Sequence, residues 1–147
     1  MALVAAFAIA STLGLSQDLE TAAGPPFSLE RALASGPAIL VFWNSWLPEA
    51  DEFVPVLHEI DRAAAEHGWP GAVVVFQDEG EAWARRIGTS GAALPRVLDR
   101  RGVLLRQFKV TRAPSVVIVG RDGEVVDRCG PTAAQVRQLL KSFADRR

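Results

Sequence analysis

The chain contains one thiol, Cys129, among its 147 residues. A cysteine acts as a nucleophile through its thiolate, and a lone one can form neither an internal disulfide nor a CxxC pair. Cys129 falls late in a stretch with strand character, where such a residue ordinarily serves as a small buried hydrophobe. A single reactive thiol that forms mixed disulfides is the sharper alternative. Arg128 beside it would favour a thiolate, but neighbouring strand residues point to opposite faces. His58 and His67 are not spaced i, i+4, and no Cys, His or acid cluster has metal-ligand spacing, so no metal and no cofactor is expected. Glu49, Asp51 and Glu52 open a helical pattern. Negative charge there suits the helix dipole, which accounts for them more simply than a catalytic carboxylate pair. Residues 96–112 hold Arg96, Arg100, Arg101, Arg106, Lys109 and Arg112 against one acid, Asp99. A single-strand nucleic-acid site would interleave aromatics for stacking, and only Phe108 is present. The stretch reads as a solvated basic face, with a partner-steering patch as second choice and no nucleic-acid partner.

The elements that must carry these residues are marked by pattern. Ala38 to Trp43 is an unbroken apolar run, the signature of a strand buried on both faces. Asn44-Ser45 is a short polar break. A helix then runs from about Pro48 to His67, with Phe53, Leu57, Ile60 and Ala64 as its buried stripe. Pro55 lies inside it and is expected to kink it. Gly68 ends it, and Ala72 to Phe76 is the next buried strand. Before these, Ser28 caps a short helix from Leu29 to Ser35. After them come a helix over Glu79 to Ile87, a loop at Gly88-Thr89-Ser90-Gly91, an extended piece from Leu94 to Asp99 and one or two helical turns from Val103 to Phe108. Ser115 to Val119 and Glu124 to Cys129 form a hairpin around Arg121-Asp122-Gly123. Thr132 and Gln135 make a capping box for a last helix that buries Val136, Leu139, Leu140 and Phe143.

This order, βαβα followed by a β-hairpin and a helix, resembles the thioredoxin superfamily, and most closely its TlpA-like, membrane-tethered or secreted branch. The likeness covers roughly residues 36–143. That branch shows a Phe-Trp strand end, then Trp-Cys-Pro-x-Cys, then a proline five residues after the second cysteine. Here stand Phe42-Trp43, Trp46-Leu47-Pro48-Glu49-Ala50, and Pro55 at the matching place. A redoxin-type relative would also suit Phe27-Ser28-Leu29 and the helix after it, and it too would need a cysteine at about Leu47. The resemblance implies an α/β fold with a central mixed sheet flanked by helices. It also implies that both reactive positions are replaced, by Leu47 and Ala50. Val41 occupies the place six before the first lost cysteine, where the superfamily carries Asp or Asn. Pro114 matches the cis-proline that faces the active-site loop. In the family, main chain just before that proline pairs with an extended substrate peptide, an interaction that needs no thiol. Trp46, Leu47, Pro48, Ala113 and Pro114 are therefore the expected binding residues, with no catalytic residue; the alternative is that Leu47 packs down and the groove is vestigial.

Length and 49 % hydrophobic content fit one domain of 27–147, preceded by an apolar segment, 1–15, and a linker, 16–26. The segment 1–15 has the character of a signal or anchor, and any membrane contact is expected there alone. Export or membrane tethering is the favoured location, with a cytoplasmic one as the alternative. Net charge is -1, yet residues 1–80 hold 11 acids and 2 bases while residues 81–147 hold 6 acids and 14 bases. Two halves lying side by side would neutralise each other. Two functions follow: a redox-inactive binding, scaffold or chaperone-like module for a peptide or protein, or an oxidoreductase accessory acting through Cys129 or a partner's cysteines.

Overall fold

The structure, a computed structural model, describes residues 17–78, 81–88 and 92–146. The expected N-terminal segment 1–15 lies outside the described residues, as do 89–91 of the expected loop. The most buried strand is β3, Ala38–Trp43, whose six residues are all buried. Its side chains alternate between two core layers. Ile39, Val41 and Trp43 meet one, and Ala38, Leu40 and Phe42 meet the other. This alternation explains the unbroken apolar run, because both sheet faces are covered.

Four more strands complete that sheet in the order β5-β4-β3-β6-β7. They are β4, Gly71–Phe76, β5, Arg96–Asp99, β6, Ser115–Val119, and β7, Val125–Cys129. β4 and β5 run parallel to β3, whereas β6 and β7 are antiparallel, so the sheet is mixed. Gly71 permits the close start of the β3–β4 pair. Its φ is 156°, and a Cβ there would lie 1.9 Å from the Ile39 carbonyl oxygen.

Helices α1, Leu29–Ser35, α2, Ala50–His67, α3, Ala82–Ile87, α4, Val103–Gln107, and α5, Ala133–Asp145, flank the sheet. α2 begins two residues later than its sequence pattern suggests, because Pro48 and Glu49 form a turn ahead of it. It buries Phe53, Val56, Leu57, Ile60 and Ala64, continues through Pro55, and ends at Gly68 in the left-handed region. α5 packs on the same layer through Val136, Leu139 and Phe143, and Thr132 with Gln135 makes the expected capping box. Glu59 of α2 and Arg137 of α5 form two hydrogen bonds of 2.7 and 3.0 Å. That guanidinium holds the Glu59 carboxyl below its ordinary range.

Two features correct the sequence reading. Residues 17–26 of the expected linker are tied to the domain. Within it β1, Asp18–Leu19, pairs with β2, Phe27–Ser28, and Ala22 and Glu20 exchange backbone hydrogen bonds of 2.8 Å with Arg96 and Leu98 of β5. Two-residue strands are too short to show periodicity. The second correction concerns Arg96, which is no part of a solvated basic face. Its side chain is 2 % exposed and binds both carboxylate oxygens of Asp61, at 2.8 and 3.1 Å. It also donates to the carbonyls of Ile87, Gly88 and Leu94. A guanidinium has enough donors to satisfy a carboxylate and several carbonyls at once, which makes its burial possible.

Of the six ion pairs among the described residues, four join the acidic half to the basic one. They are Arg86–Asp51, Arg96–Asp61, Arg100–Glu20 and Arg137–Glu59. These four pairs offset part of the charge asymmetry of the sequence.

Candidate functional site

Between β3 and α2 the chain makes a tight loop, and its polar residues are spent on holding it. Asn44 is fully buried and donates through Nδ2 to the Phe76 carbonyl at 3.2 Å. The Ser45 backbone N–H and hydroxyl donate to the two oxygens of Asp78, at 2.6 and 2.9 Å. Arg86 donates to the Ser45 carbonyl and pairs with Asp51 at 3.3 Å. Trp46 donates from Nε1 to the Gln77 carbonyl at 3.1 Å. Its ring stands edge-on to Phe76, with centroids 6.1 Å apart. Trp43 Nε1 donates to the Ala50 carbonyl at 3.0 Å, tying the strand end to the first residue of α2. The loop is therefore anchored from β4, from the residues after it and from α3. Asp78, Gln77 and Arg86 carry no signal in the sequence, because each lies more than thirty residues from its partner.

Trp46 remains 58 % exposed despite this anchoring. Leu47 is half-buried and packs against the α2 layer of the core. Ala50 is 1 % exposed. Opposite them the Ala113–Pro114 peptide bond is cis. Ala113 is half-buried and Pro114 is buried. Trp46, Leu47, Phe76, Val110, Ala113 and Pro114 line a groove of about 570 Å³. Glu49 and Arg112 are its charged residues. The apolar patch expected from sequence is thus a groove with Pro114 sunk in its wall, while Pro48 is exposed and stands outside the lining.

Chemically the groove offers apolar surface and main-chain groups. Leu47 and Ala50 have no group that could attack a disulfide or leave from one. Val41 is fully buried among apolar residues and can carry no proton. No group of three or more acids, histidines or cysteines placed to hold a metal occurs among the described residues. Both histidines are exposed, and His67 stacks on Trp69.

Cys129 does not line the groove. It ends β7, half-buried against the layer that α2 and α5 share. Burial pushes its thiol up to about 11, and the Asp127 carboxylate adds to the rise. Because the thiolate is the reacting form and each pH unit below the pKa costs tenfold, alkylation by iodoacetamide at neutral pH is expected to run roughly a hundredfold slower than at an unperturbed thiol. The rate should climb about tenfold per unit as pH rises towards 11. Mass-spectrometric rates across that range check this, and a neutral-pH rate equal to that of free cysteine would contradict it.

The comparisons with known proteins agree with this architecture. A family model described as thioredoxin-like matches residues 37–125. The chain belongs to the thioredoxin-like family. No curated protein sequence matches the chain. Among solved structures, dsbF of MTB is 23 % identical, with TM-score 0.69 over 88 % of this chain and 96 % of that one. A secreted Mycobacterium tuberculosis disulfide oxidoreductase is 19 % identical, with TM-score 0.67 over 88 % and 97 % of the two chains. An exposed lipoprotein thioredoxin of Streptococcus pneumoniae is 22 % identical, with TM-score 0.66 over 86 % and 98 %. At these identities the likeness is one of fold. One cysteine in the whole chain cannot supply the CxxC pair of such a fold.

Proposed function

We propose that this domain is a binding module without redox chemistry of its own, which holds an extended peptide or protein segment across the Trp46–Pro114 groove. The observation that supports it is a contrast within one loop. Residues 44–46 are fixed by hydrogen bonds to Phe76, Gln77 and Asp78, yet the two reactive positions beside them carry Leu47 and Ala50. A platform held this firmly is suited to recognition, since a pre-ordered surface loses little entropy on binding. Main-chain groups at Ala113 can pair with an extended segment while an apolar side chain enters the groove. The secreted and exposed settings named for two structural neighbours favour an extracytoplasmic role, such as assisting the folding or maturation of exported proteins. No helix among the described residues is long and apolar enough to cross a membrane.

The alternative is an accessory that exchanges disulfides through Cys129. A thiol pushed up to about 11 and placed outside the groove speaks against it. The test pairs two measurements. Titration with reduced, alkylated insulin B chain is expected to give saturable binding that Trp46→Ala weakens roughly thirtyfold, as loss of an aromatic anchor does. Insulin reduction by dithiothreitol is expected to proceed at the buffer rate with wild type and with Cys129→Ser. Acceleration that vanishes in Cys129→Ser would establish the accessory reading instead.

A further inference from the structure

Arg86, Arg96, Arg100 and Arg137 are held by acids of residues 1–80, but Arg112 and Arg128 are not. Both are exposed, and neither guanidinium has a partner among the described residues. They meet at one cleft of about 430 Å³, whose wall also includes Thr111, Ser115 and Gln135. No acid lines it among the described residues. Ser115 is only 9 % exposed, and its Oγ has no hydrogen-bond partner among the described residues. The strand register sets Arg128 opposite Val117, so Ser115, Val117 and Arg128 share one sheet face. Cys129, which packs against the layer of α2 and α5, also borders the cleft at the end of β7. The cleft and the groove share Val110, Thr111 and Arg112, so a chain lying across Ala113 meets both.

We propose that this cleft recognises a carboxylate: the bound peptide carries an Asp or Glu within one or two residues of the apolar side chain seated at Trp46 and Leu47. This rests on the peptide-binding reading above and adds a sequence preference to it. Charge complementarity supports the choice. Two guanidiniums without carboxylate partners supply forked donors that fit a carboxylate in bidentate fashion. The unpartnered Ser115 hydroxyl in the same wall is a further donor. Successive side chains of an extended peptide point to opposite sides, so an apolar anchor and a nearby acid can enter two adjoining cavities.

The experiment compares two extended octapeptide pools that share a central apolar residue. One pool has Glu at the flanking positions and the other has Gln. The Glu pool is expected to bind about tenfold more tightly at low salt, with the preference shrinking as salt screens the charges. Arg112→Gln with Arg128→Gln is expected to abolish the preference, so that the two pools bind equally. Lys141→Gln, which removes one positive charge from the exposed side of α5, is expected to leave the preference intact. Equal binding of both pools by the wild type overturns the carboxylate preference and leaves peptide binding standing. Absence of binding by either pool overturns both. A preference that survives the double arginine substitution also overturns this assignment.

Discussion

Replacing Arg96 by leucine is expected to lower the unfolding free energy by about 3–5 kcal/mol, the range for breaking a buried ion pair from one side. For a chain of this size that corresponds to a fall in Tm of roughly 10–20 °C. The reason is what stays behind. Asp61, 13 % exposed, would keep its charge without its guanidinium, and the carbonyls of Ile87, Gly88 and Leu94 would lose a donor. The matched comparison is Arg100→Leu. Its pair with Glu20 is exposed on both sides, at 58 and 59 %, and its loss should cost less than about 1 kcal/mol. Thermal melts followed by circular dichroism measure both. If the two substitutions cost the same, Arg96 is not the buried clip described above. Adding Asp61→Leu to Arg96→Leu should cost less than the sum of the singles, because each alone leaves the other partner unmatched.

The second large effect is a gain. Leu47→Cys combined with Ala50→Cys is expected to confer disulfide exchange on a domain that has none at these positions. The Ala50 N–H already donates to the Leu47 carbonyl at 3.1 Å, so the two positions close one turn at the start of α2. Turn ends lie within about 7 Å between Cα atoms, inside disulfide reach. Thiols in such motifs ionise near pH 7, about four units below Cys129. Thiolate content would rise by more than a thousandfold, and lower intrinsic nucleophilicity would return part of that, leaving a gain of roughly a hundredfold over Cys129. The insulin-reduction rate of the double variant checks it. A variant that forms the disulfide but stays at the buffer rate would mean that the frame around Leu47 has itself lost the ability to support exchange. A variant that forms no disulfide would mean that the geometry of the turn differs from that described.

What the sequence made legible is what local pattern encodes. The apolar run of β3 announced a strand covered on both faces. The α2 stripe and the Thr132–Gln135 capping box were readable from spacing alone. The loop frame at Trp46 and the proline at 114 were found by resemblance. What was hidden depends on pairing across distance. Arg96 looks like its exposed neighbours until Asp61, 35 positions away, is seen beside it. Asn44 and Ser45 look like an idle break, because the Phe76 carbonyl and the Asp78 carboxylate that give them a task come from the end of another strand. Leu47 was legible as a lost cysteine but not as a residue shared between core and groove, which only packing decides. The walls supplied by Val110, Thr111 and Arg112 follow from how the chain approaches the cis bond, and no periodicity marks them.

The hydrogen bonds that Glu20 and Ala22 make with β5 have a consequence for the company this molecule can keep. An outermost strand with free amides and carbonyls is a template on which another chain can add itself. β5 would be such a template, since it closes one side of the sheet with the apolar residues Val97 and Leu98 in it. Residues 20–22 occupy that margin: the Ala22 amide takes the Arg96 carbonyl, the Leu98 amide takes the Glu20 carbonyl, and Thr21 bridges Val97. The opposite margin, β7, is defended differently, by the charged residues Asp127 and Arg128 and by a register irregularity in its pairing with β6. The short stretch ahead of the first long strand therefore works as a guard rail against strand-by-strand self-assembly at that margin of the sheet.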